Sequence, residues 1–88
     1  MTDFTKKQEE QLINFGAFGY SEKKIASIMG VPVDDIISLK KDKNSILSNL
    51  LQKGKDMADY VIDLKLFEMA KSGDIKALDK LELRKRFR

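Results

Sequence analysis

The chain contains neither cysteine nor histidine. Without a thiolate or an imidazole no zinc site of the usual nitrogen–sulfur kind can be assembled, and no side chain titrates near neutrality at its unperturbed pKa. The lack of cysteine also excludes a disulfide scaffold and fits a reducing compartment. The opening "MTDFTKKQEE" has no apolar stretch like that of a signal peptide, and no apolar run approaches the roughly 18 residues that a membrane span needs. The expectation is a soluble, cytoplasmic protein of a bacterial or phage-infected host cell, without a membrane partner. Proline occurs once, at Pro32, where its fixed φ suits the start of a helix.

The 88 residues, 42% hydrophobic and 35% charged, suffice for one small globular domain rather than a disordered chain. The net charge is +3, and its position says more than its total. Residues 1–45 balance seven lysines against seven acids, whereas "RKRFR" at the end carries four cations, Arg84, Lys85, Arg86 and Arg88. Taking those four from +3 leaves −1 for everything before Arg84. The positive field is concentrated at the tail rather than spread over the body.

Helical signals dominate, and an all-α fold of five helices is predicted. Thr5 with Gln8 makes a capping box for the first helix, which "GAFGY" breaks through Gly16 and Gly19. Ser21 caps a second helix that runs to about Met29, and Gly30 suits the left-handed residue that ends it. The third helix starts at Pro32, carries Asp34 and Asp35 in its first turn, and ends near "KDKNS". Ser45 caps a fourth helix over 46–71, which Gly54 could divide at a cost of only about 1 kcal/mol against alanine. Ser72-Gly73 stop it, and Asp74 caps the short fifth helix. Two parts follow: 1–44, a three-helix helix-turn-helix unit, and 45–88, a helical hairpin with a basic tail.

The fourth helix carries Ile46, Leu47, Leu50, Leu51, Met57, Ala58, Val61 and Ile62 within an arc of about 160°, one stripe expected to be buried. Beyond Leu64 the apolar residues scatter around the circumference. An undivided helix would be about 39 Å long, against about 31 Å for a compact chain of this size. A second subunit is expected to cover part of it, through Leu50, Met57, Val61, Leu64 and Phe67. The alternative is a monomer wrapped around its own central helix.

The segment "GYSEKKIASIMGVPVDDIISLKK" has the spacing of a DNA-reading helix-turn-helix. Ala26 is the small residue at the crossing, and Gly30 forms the turn. Ile25, Met29, Val31, Ile36 and Leu39 supply the apolar lock. In that use Val33, Asp34, Ile37 and Ser38 approach base edges, Lys40, Lys41 and Lys43 neutralise phosphates, and Lys23 and Lys24 clamp the backbone. Arg84, Lys85 and Arg86 are further candidates for DNA contact. The competing possibility is a helical corner without a nucleic-acid role. Asp34 and Asp35 argue for it, since carboxylates repel phosphate, although an acid can accept a hydrogen bond from cytosine N4. Catalysis is not expected. No phosphate-cradling glycine loop occurs, and Asp56, Asp59 and Asp63 form a row on the polar side of the fourth helix, read as solvated rather than metal-binding. No cofactor is expected.

"GYSEKKIASIMGV", followed by a long helix and then "AKSGDIKALDKLELRKR", resembles the small subunit of bacteriophage terminases. The matching residues are Tyr20, Ser21, Ile25, Ala26, Gly30 and Val31, then Ala70, Gly73, Asp74, Ala77 and Leu78. The resemblance implies an N-terminal helix-turn-helix, a hairpin that assembles into a homo-oligomer, and engagement of double-stranded viral DNA for packaging. It also implies a packaging motor subunit as a partner, with the basic tail as one place to meet it. A small transcriptional regulator and a protein-interaction adaptor with a structural helix-turn-helix are the alternatives.

Overall fold

The computed structural model describes residues 4–87. Arg88, counted above in the basic tail, lies outside the described residues. Five helices follow one another: α1 (Lys6–Phe18), α2 (Glu22–Met29), α3 (Val33–Lys41), α4 (Ile46–Lys71) and α5 (Ile75–Arg86). No strand occurs among the described residues, and the fold is all-α. None of the described helices is long and apolar enough to cross a membrane.

Local chemistry fixes the helix ends. At α1 the Thr5 hydroxyl accepts from the Gln8 N–H at 3.1 Å while the Gln8 side chain accepts from the Thr5 N–H at 2.9 Å, so two otherwise orphaned donors are satisfied. Ser21 accepts from the Lys24 N–H at 3.2 Å, Ser45 from the Ser48 N–H at 3.0 Å, and Asp74 from the Ala77 N–H at 3.1 Å. Each such cap is worth about 1 kcal/mol.

The chain divides into two compact units, one running to Met57 and the other starting at Ala58, and α4 is a single helix through that division. The boundary expected at 44/45 is thus displaced into α4. The reason is apolar: Leu47 is fully buried in one cluster with Leu12, Phe15, Ile25, Ala26 and Ile36, and Leu50 and Leu51 pack against it. The first three helices cannot close their core without the first turns of α4.

Two glycines act differently from the expectation. Helix α1 does not break at Gly16; it continues to Phe18, and Gly19 alone takes the left-handed conformation, with φ 71°. Nor does Gly54 divide α4. A Cβ at Gly16 would overlap the Leu51 carbonyl, and a Cβ at Gly54 would overlap the Ile13 carbonyl and come within 2.9 Å of the Ala17 N. Both glycines lie where the backbones of α1 and α4 touch. Glycine in these helices is a packing residue, and its low helix propensity is offset by the close approach it permits.

In the second unit the rest of α4 leads to a turn at Ser72 and Gly73, where Gly73 has φ 102° and the Ser72 hydroxyl donates to the Met69 carbonyl at 2.7 Å. Helix α5 then folds back, tied to α4 by Arg84. Its Nε lies 2.6 Å from Asp63 and its Nη2 lies 3.3 Å from Asp59. Among the described residues of this unit only Ala77 is buried. The apolar stripe expected to be covered is therefore open here: Val61 and Ile62 are exposed, as are Ile75 and Leu78 on α5, and Met57 at the end of the first unit is exposed too.

Candidate nucleic-acid interface

The corner between α2 and α3 follows from one residue with positive φ. Gly30, at φ 70°, ends α2, its N–H donating to the Ala26 carbonyl at 2.9 Å; Val31 N–H reaches the same carbonyl at 3.1 Å. This left-handed cap reverses the chain without strain only at glycine. Pro32, in extended conformation, opens α3 and contributes no side-chain cap. Ile25, Ala26 and Ile36 are buried beneath the corner, with Met29, Val31 and Leu39 packed around them. The apolar lock expected from the sequence is in place.

With Ile36 facing inward, the helical period sends its neighbours outward. Val33, Asp34, Asp35, Ser38, Lys40 and Lys41 are exposed, as is Lys43 in the following turn; Ile37 is half-buried. Lys23 and Lys24 are exposed at the start of α2. The candidate residues of the first unit are thus exposed, apart from the half-buried Ile37. Two of these lysines are already engaged. Lys40 Nζ lies 3.0 Å from Glu22 across the α2–α3 pair, and Lys24 Nζ lies 4.1 Å over the Tyr20 ring. The hydrogen bond and charge of Lys40 hold the Glu22 carboxyl below the usual carboxylate range. Lys23, Lys41 and Lys43 have no ion-pair partner among the described residues.

The C-terminal candidates divide. Arg84 is held by Asp63 and Asp59, and the Asp63 hydrogen bond raises its pKa further, so its charge is compensated within the hairpin. The row Asp56, Asp59 and Asp63 is therefore not a plain solvated face. Lys85 Nζ lies 3.5 Å from Glu82, while Arg86 has no ion-pair partner among the described residues. Of the candidates for self-association, Met57, Val61, Leu64 and Phe67 are exposed, Phe67 by half, and Leu50 is half-buried on the core of the first unit.

Sequence reasoning did not anticipate the Arg84 clasp. Two aspartates at i, i+4 were a signal, but their partner lies 21 and 25 residues away. It also did not anticipate Tyr60, Leu83 and Phe87 as exposed apolar residues. Compared with protein-family models, with curated proteins and with solved structures, the chain matches none of them.

Proposed function

We propose that this is a self-assembling, DNA-binding protein that engages viral DNA for packaging, in the manner of the bacteriophage terminase small subunits it resembles. One observation carries the reading: α3 buries Ile36 against α2 and leaves its other face open, and Lys41 at its end and Lys43 in the following turn have no ion-pair partner among the described residues. Such a helix can lie in a major groove while lysines on either side of it position the duplex. A single copy makes few phosphate contacts, which gives micromolar or weaker affinity at physiological salt. Linking copies multiplies those contacts through effective concentration. The uncovered apolar residues of the second unit, Val61, Leu64 and Phe67 among them, supply the surface for a homo-oligomer. Lys85 and Arg86 remain for a packaging motor subunit or for DNA.

A second reading, an adaptor that binds other proteins, is favoured by the exposed pair Asp34 and Asp35 at the start of α3. A small transcriptional regulator would use the same corner as the packaging factor. Electrophoretic retardation of duplex DNA decides between DNA binder and adaptor. The DNA reading requires binding that falls steeply with salt and is lost in Lys40→Glu/Lys41→Glu. An intact oligomer that leaves duplex DNA unretarded at low salt would establish the adaptor.

A further inference from the structure

Beside the corner, the first unit holds a cleft of about 580 Å³ whose charge is of one sign. Lys40 and Lys43 border it from the end of α3 and the turn after it, and Lys55 from α4; among the described residues no acidic side chain lines it. Glu22 partly compensates Lys40, at 3.0 Å, but neither Lys43 nor Lys55 has an ion-pair partner among the described residues.

Neutral donors complete the wall. Tyr20 and Asn49 also line the cleft, and neither the Tyr20 hydroxyl nor the Asn49 amide has a hydrogen-bond partner among the described residues. The Tyr20 ring itself is occupied: it stacks on Phe15 at 5.6 Å and carries Lys24 at 4.1 Å. The group that Tyr20 has left to offer is its O–H.

We infer that this cleft binds a phosphate-bearing ligand of nucleotide size. Its volume falls in the range of small-molecule sites, roughly 300–1,000 Å³. Several ammonium groups with hydroxyl and amide donors, and no carboxylate among the described lining residues, match an anion carrying more than one charge, because each added charge-assisted hydrogen bond acts on the same oxyanion. A single carboxylate would leave part of that positive field unanswered. The site is distinct from the outward face of α3: Lys55 belongs to the cleft alone, and Lys41 to the helix face alone.

The test is a titration of the isotopically labelled full chain, followed by backbone amide NMR, with inorganic pyrophosphate, with adenosine monophosphate and with a short DNA duplex. Saturable shifts centred on Tyr20, Lys43, Asn49 and Lys55 with pyrophosphate or the nucleotide, weakened about tenfold in Lys43→Ala/Lys55→Ala, assign the phosphate to a free ligand. If only the duplex moves those amides, and the double variant abolishes the effect, the cleft is part of the nucleic-acid interface and the inference of a nucleotide-sized ligand is overturned. Shifts spread evenly over all surface lysines, shifts indifferent to the double variant, or none with any probe would overturn the site. Lys41→Glu keeps the two readings apart: it removes duplex retardation by α3 and leaves the pyrophosphate titration intact.

Discussion

Gly16 of α1 meets the backbone of Leu51 in α4 with no side chain between them. This crossing, repeated at Gly54 against Ile13, brings α4 onto the three-helix corner and so sets the frame on which α3 is displayed. Alanine at either position should therefore destabilise the fold by about 1–3 kcal/mol, although its helix propensity is better by about 1 kcal/mol. Urea unfolding measures this. A rise in stability for Gly16→Ala or Gly54→Ala would mean that the two backbones do not touch.

The Arg84 clasp predicts a local effect. Asp63→Asn and Arg84→Ala should each loosen α5 from α4, read as faster amide hydrogen exchange over 75–86 with protection of α1 to α3 unchanged. Exchange equal to that of the parent protein would show that the hairpin is held by other contacts.

Acid should weaken the α2–α3 pairing with a definite sign. Since Lys40 lowers the pKa of Glu22 in the folded state, the Glu22 carboxylate contributes stability above its unfolded pKa. That contribution is lost as the pH falls through the folded value. The stability difference between the parent and Glu22→Gln should accordingly be present at neutral pH and vanish in strong acid. A difference independent of pH would assign Glu22 another role.

In the proposed DNA complex, Asp34 and Asp35 would oppose the phosphates that Lys41 and Lys43 attract. Two charges removed at about 8 Å from the backbone in a watery interface are worth about 1 kcal/mol, near a fivefold gain in affinity for duplex DNA. Asp34→Asn/Asp35→Asn should show that gain in retardation assays at low salt. A loss of affinity, with folding intact, would mean that the carboxylates accept hydrogen bonds from bases.

Phe67 is half exposed and lies outside the buried core, so Phe67→Asp should disperse an oligomer without unfolding the chain. Sedimentation over a range of concentrations reads the outcome. A parent protein that stays at 10.1 kDa throughout would remove self-association from the proposed function.

What the sequence determined by itself is local. The Thr5–Gln8 box, the Ser21, Ser45 and Asp74 caps and the Gly30 turn are all settled by groups within four residues of one another, so helix ends could be read directly from the chain. The outward residues of α3 follow from the helical period with Ile36 on the buried face. The tertiary structure decided everything that depends on which helix faces which. Gly16, Gly19 and Gly54 are alike as letters, yet only Gly19 turns the chain, while the other two let backbones meet. Arg84 resembled Lys85 and Arg86 beside it until folding set it against Asp59 and Asp63. Lys40, Lys43 and Lys55 became one cleft only when α3 and α4 came together. Burial and ion pairing act through space between elements distant in sequence, and no spacing along a single helix encodes that register.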